Sequence, residues 1–182
     1  MDRRLFLGIA PDEATSQQLR RYAALAQERV EASWIPEESW HITQYFFGAV
    51  QEEVLPNLRA MLRLIIRPFQ PFGLEFEAFA LAPPGRAPRM VWAQYRKQPD
   101  FRLLSSRIDE AYRPIQPLHQ AWRSPLPHLT LARLQAPPAR PLPYPEAGGR
   151  PGRLPVRELI LWESELRPEG SVYTPLDRYR LG

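Results

Sequence analysis

The chain has 182 residues, 44% hydrophobic and 11% aromatic, enough for one domain with a substantial core but not for a second independent one. It holds no cysteine, which excludes disulfides, thiolate catalysis and Cys-ligated zinc or iron–sulfur centres, and no apolar run approaches the roughly 18 residues of a membrane-spanning helix. The net charge is +4 and Lys97 is the only lysine, so the basic side is almost wholly arginine, which grips phosphate bidentately and stacks on bases; base composition or heat adaptation of the source produces the same bias, along with the 22 prolines.

The opening MDRRLFLGIAPDE has too short an apolar stretch for a signal-peptide core, so the expected compartment is the cytoplasm. Arg3 to Ala10 reads as a strand. A helix follows, started by Pro11 and Asp12, with Leu19, Tyr22, Ala23, Ala26 and Val30 on one face. Trp40 to Phe47 reads as a second strand closed by Gly48. A second helix spans about Gln51 to Ile66, with Val54, Leu58, Met61, Leu62 and Ile65 aligned and Pro68 beyond its end. Phe72 to Leu81 and Arg89 to Tyr95 form a hairpin with the turn-rich tip APPGRAP. Phe101, Leu104, Ile108, Ala111 and Tyr112 mark a third helix, stopped by Pro114 and Pro117. The next strand runs from His128 to Leu134. Gln135 to Pro155, with seven prolines, three glycines and three arginines, has no periodicity and is expected as a long surface loop. Val156 to Leu166 and Val172 to Leu181 close the chain as a hairpin joined by RPEGS. Each of the strands beginning near Trp40 and His128 follows a helical segment, a hint of internal duplication. The class is α+β with mostly antiparallel sheet.

Chemistry concentrates in a triplet that occurs twice, His41-Ile42-Thr43 inside WHITQYFFG and His128-Leu129-Thr130 inside PHLTLAR. In a strand, residues two apart leave by the same face, so each triplet presents an imidazole and a hydroxyl together. Two imidazoles across one cleft supply a general base and a general acid near neutral pH, and two hydroxyls donate to an anion between them. This equipment can break a phosphodiester without a metal. A lone His-x-Thr in a strand is ordinarily a locally satisfied histidine; here two of the chain's three histidines share one context. The third, His119 in PLHQAW, has no partner pattern and is read as a solvated loop residue. No ligand spacing such as HExxH is present, so neither a metal nor a cofactor is expected. On the His41 face, regular alternation places Tyr45 and Phe47, with Tyr45 a candidate to stack on a base; Trp92 reads as packing. Arg133 has the opposite parity to His128 on a regular strand and would have to reach round from the strand end to meet a phosphate, or else form a surface salt bridge. Arg86, Arg89 and the arginines of the Gln135 to Pro155 segment are candidates to guide RNA.

On RLFLGIAP, WHITQYFFG, MVWAQY, FRLLSSRID, PHLTLAR and LILWESELRPEGSVYTPLDRYRL the chain resembles the two-histidine (2H) phosphoesterases, close to the bacterial and archaeal RNA 2′,3′-cyclic phosphodiesterases historically called 2′-5′ RNA ligases. The family's first motif usually reads H-x-T-L-x-F-L-G; here Gln44 replaces the leucine, at a position that alternation turns away from His41. The resemblance implies one bilobal domain over residues 1–182, with two antiparallel sheets flanking a cleft and helices outside. It implies metal-independent opening of a 2′,3′-cyclic phosphate on RNA or a nucleotide to a 2′-phosphomonoester. His128 would then be the base, His41 the acid, Thr43 and Thr130 the holders of the non-bridging oxygens, and Arg133 a charged phosphate contact. A 2′-5′ oligonucleotide phosphodiesterase or ligase, hydrolysis of a cyclic phosphate on ADP-ribose, and a non-catalytic RNA-end binding module are the alternatives. A monomer is expected, since one chain completes the cleft.

Overall fold

Runs with a two-residue apolar period become strands, and runs with a helical period become helices, in the computed structural model, which describes residues 2–116, 126–143, 151–167 and 170–182. In chain order these are β1 (Asp2–Ile9), α1 (Glu13–Gln27), β2 (Ala32–Trp34), β3 (Ile42–Gln51), α2 (Leu55–Ile66), β4 (Phe72–Ala82), β5 (Met90–Tyr95), α3 (Pro99–Tyr112), β6 (His128–Leu134), β7 (Arg153–Val156), β8 (Glu158–Arg167) and β9 (Gly170–Arg180). Asp12 caps α1, its carboxylate accepting from the Thr15 N–H at 3.0 Å, so the Pro-Asp signal starts the helix as expected.

All strand pairs are antiparallel, in the order β7-β4-β5-β6-β3-β1-β8-β9, with β2 also paired to β6. The antiparallel α+β class is present as one continuous nine-stranded sheet with two halves. They join where β3 meets β6 through one registered pair, Ile42 with Leu129. Leu19, Tyr22 and Ala26 of α1, Leu58, Leu62 and Ile66 of α2, and Phe101, Leu104, Ile108 and Tyr112 of α3 are buried in one core with the strands. Burying each large side chain stabilises by roughly 1.5–3 kcal/mol, which holds both halves rigid on either side of the seam.

Several expectations are corrected. Gly48 does not close its strand: at φ +76° it lets β3 bulge against β1, where Leu5 pairs with Gly48 and Phe6 already with Phe46, and the strand continues to Gln51. Consequently α2 begins only at Leu55, after a 3₁₀ turn over Glu52–Val54. The stretch expected as a loop through Pro155 contains most of β7, which pairs residues Arg153–Val156 with Phe72–Glu75 of β4; proline at an edge strand removes one donor without breaking the ladder. β2, three residues long, was too short to show a period. His119 lies outside the described residues. No helix among them is long and apolar enough to cross a membrane.

Candidate active site

The seam builds the site. Ile42 and Leu129 are the middle residues of the two triplets, so their pairing crosses the motifs at their centres. Antiparallel register about that pair sets His41 towards Thr130 and Thr43 towards His128. Both middle residues are fully buried, which leaves the flanking histidine and threonine of each strand on the opposite, open face. The four side chains line one cavity of about 200 Å³ together with Ile35, Ser39, Arg133 and Tyr173.

The two imidazoles are held alike. His41 Nδ1 lies 2.8 Å from the Ser39 carbonyl oxygen and His128 Nδ1 2.7 Å from that of Leu126, in each case two residues earlier in the chain. A carbonyl only accepts, so each Nδ1 carries its hydrogen and donates, leaving Nε2 as the titrating nitrogen. Burial pushes the pKa of both imidazoles below the usual histidine value; the carbonyl bonds oppose this, and the charge of His128 depresses His41 further. Their walls differ. The His128 ring lies on the Trp92 face, with centroids 3.7 Å apart and planes at 20°. His41 is tilted against Phe6 at 4.5 Å and meets the Tyr173 ring edge-on at 4.9 Å.

Immediately after each triplet the strand bulges. In β3 the register jumps from Thr43 opposite Gly8 to Tyr45 opposite Leu7, leaving Gln44 extra; in β6 it jumps from Thr130 opposite Trp92 to Ala132 opposite Val91, leaving Leu131 extra. One extra residue inverts the alternation beyond it. Tyr45 is therefore not on the histidine face, contrary to the regular-strand expectation: it is buried, its hydroxyl donating to Asp109 Oδ1 at 2.7 Å, and Phe47 is buried beside it. Phe46, 44% exposed, takes the open face instead. The same inversion brings Arg133 onto the His128 face, so it lines the cavity without reaching round from the strand end. Among the described residues Arg133 has no hydrogen-bond or ion-pair partner, and neither Thr hydroxyl has a hydrogen-bond partner. Gln44 points away from the cleft as expected. Its Nε2 donates to the Phe101 carbonyl at 2.7 Å and to Ser105 Oγ at 2.5 Å, fastening the β3 bulge to α3.

Phe6, Tyr173 and the stacking role of Trp92 are the site features that sequence reasoning missed. No signal in the chain read alone marks them: Trp92 and Phe6 reach the cleft through strand register, Trp92 opposite Thr130 and Phe6 opposite Phe46. Among the described residues no group of three His, Asp or Glu gathers to bind a metal. A larger hollow of about 670 Å³, lined by Lys97, Phe101, Arg102 and Leu103 among others, lies beside α3 and contains neither motif histidine. Arg86 and Arg89 do not line the histidine cavity.

The family model of the 2′-5′ RNA ligase superfamily matches residues 10–167. An RNA 2′,3′-cyclic phosphodiesterase of Methanothermobacter thermautotrophicus is 27% identical over 183 residues, covering 98% of each chain. One of Thermus thermophilus is 31% identical over 151 residues, covering 81% of this chain and 74% of its own. The crystal structure of TT0787 of Thermus thermophilus matches with a TM-score of 0.83 at 26% identity over 97% of both chains. Apo LigT of E. coli shares the fold, with a TM-score of 0.78 at 23% identity over 99% of this chain and 98% of its own.

Proposed function

Since the chain belongs to the 2′-5′ RNA ligase superfamily, we propose that it is a phosphodiesterase that opens RNA 2′,3′-cyclic phosphate ends to 2′-phosphomonoesters, with His41 and His128 as its acid–base pair. The observation that carries this reading is the crossing of two triplets at one buried pair, which gathers two imidazoles, two hydroxyls and an arginine around one cavity. Relatives over most of the chain are named RNA 2′,3′-cyclic phosphodiesterases. LigT of E. coli, alike in fold, has been crystallised with 3′-AMP and with phosphate.

The chemistry follows from the tautomers. Neutral His128 takes a proton from water through Nε2 as the water oxygen bonds to phosphorus, and protonated His41 gives a proton to O3′ as the P–O3′ bond breaks. This is the assignment the resemblance implies. The products are a 2′-phosphate and a 3′-hydroxyl, and the two imidazoles exchange protonation states, to be reset through solvent. Thr43 and Thr130 donate to the non-bridging oxygens, and Arg133 neutralises the charge that grows on them. No metal is required by this scheme.

The test is hydrolysis of an RNA oligonucleotide ending in a 2′,3′-cyclic phosphate, in EDTA, with identification of the product isomer. Turnover to the 2′-phosphate is expected, with a loss of at least about 10²-fold in His41→Ala and in His128→Ala. No turnover by the wild type, with binding retained in both variants, would overturn the enzyme reading in favour of an RNA-end binding module.

A further inference from the structure

The β3 bulge is held from outside the sheet, by a side chain that leaves one of its own polar atoms unsatisfied. Gln44, the extra residue of the bulge, is fully buried. Its amide nitrogen donates to the Phe101 carbonyl at 2.7 Å and to Ser105 Oγ at 2.5 Å, both on α3. A carbonyl only accepts, so the nitrogen rather than the oxygen must face the helix. Gln44 Oε1 is thereby left buried with no hydrogen-bond partner among the described residues.

An orphaned amide oxygen weakens a core, because it loses its water and gains no bond, and a half-satisfied polar residue is worse there than an apolar one of the same shape. Nor do the two partners need the glutamine side chain. Ser105 Oγ already lies 3.0 Å from the Phe101 carbonyl and 3.0 Å from the Gln44 backbone carbonyl. Stability therefore does not account for Gln44, and its place in the strand does. It directly follows Thr43, whose hydroxyl lines the histidine cavity. The extra residue of a bulge is left out of the strand ladder, so only a bond from elsewhere can fix the backbone beside that threonine. In β6 a backbone group does this, the Ile35 N–H donating to the carbonyl of the extra residue Leu131 at 2.8 Å. In β3 the matching carbonyl, that of Gln44, has the Ser105 side chain instead, and the Gln44 side chain grips the same serine.

We propose, resting on the cyclic-phosphodiesterase reading, that Gln44 is a positioning residue for the reaction: with Ser105 it clamps the β3 bulge to α3 and so aims the Thr43 hydroxyl at the phosphate. A fixed donor contributes most where charge grows on the non-bridging oxygens, and a displacement of about 1 Å forfeits much of that contribution. The clamp thus acts on the transition state more than on substrate binding, and it opposes stability instead of adding to it.

The experiment measures kcat, KM and denaturant unfolding for the wild type, Gln44→Met, Ser105→Ala and the double variant, on an RNA oligonucleotide ending in a 2′,3′-cyclic phosphate. Methionine keeps the length and burial of the side chain and removes both its donors and its orphaned oxygen. Gln44→Met is expected to lower kcat about tenfold and to change KM by less than about threefold, with an unfolding midpoint equal to or above the wild type's. The double variant should lose no more kcat than the worse single one, since both changes open one clamp. An unchanged kcat in Gln44→Met, or a kcat and an unfolding midpoint that fall together, would overturn the positioning role while leaving the cyclic phosphodiesterase standing. If the wild type turns over nothing, the catalytic reading fails and inorganic phosphate decides the clamp, because its dianion carries the charge that a Thr43 donor recognises. Weaker phosphate binding by Gln44→Met at undiminished stability then supports the role, and equal binding rejects it.

Discussion

β3 and β6 place the same triplet with the same device, an i−2 carbonyl fixing Nδ1 and a bulge just after the threonine, yet surround it differently. The fifth residue beyond the histidine is exposed Phe46 on one strand and cavity-lining Arg133 on the other. His128 lies on the face of Trp92, whereas His41 meets Phe6 at a tilt and Tyr173 edge-on. A repeated backbone solution thus supplies two equivalent imidazoles, and only the neighbours make them unequal. A ring face in contact with an imidazole favours its protonated form, so replacing either histidine's aromatic wall should shift that histidine's titration.

The difference can be broken first at Arg133. Arg133→Gln leaves Phe46 untouched and removes the guanidinium that lines the cavity; kcat/KM for a cyclic-phosphate RNA end is expected to fall about tenfold to a hundredfold, with Arg133→Lys recovering part of the loss.

The unequal walls give the next effect. Because burial lowers both imidazole pKa values, the bell-shaped profile of kcat/KM against pH should centre to the acid side of free histidine. Trp92→Leu keeps the burial but removes the face that stabilises the His128 cation. The limb belonging to His128 should move to lower pH by about half a unit, the other limb moving less; Phe6→Leu should move the His41 limb. Two variants that displaced the same limb would contradict separate walls. The smallest kinetic effect belongs to Tyr45→Phe, which loses the hydrogen bond to Asp109 and should cost about 1–2 kcal/mol in denaturant unfolding.

Much of the fold was legible because period and punctuation are local. The α1 stripe of Leu19, Tyr22, Ala23 and Ala26 buries as its spacing requires, and β6 occupies the residues its β-branched and apolar run marked. β2 and β7 were not, since three or four residues carry no period and exist only as partners of β6 and β4. The histidines and threonines were legible because they precede both bulges, where alternation still holds. Tyr45 and Arg133 follow them and were placed on the wrong faces. An extra residue is defined against a partner strand, so a strand read alone cannot reveal it.

The sequence by itself determined the antiparallel α+β class, the two His-x-Thr triplets and the side of the strand each presents, because side-chain chemistry and two-residue alternation are properties of the chain. The tertiary structure alone decided that the triplets cross at Ile42 and Leu129, that Phe6, Trp92 and Tyr173 wall the imidazoles, and that Arg133 rather than Tyr45 faces the cavity. Those facts depend on which strands pair and in what register, and register is set by long-range burial rather than by neighbours in the chain.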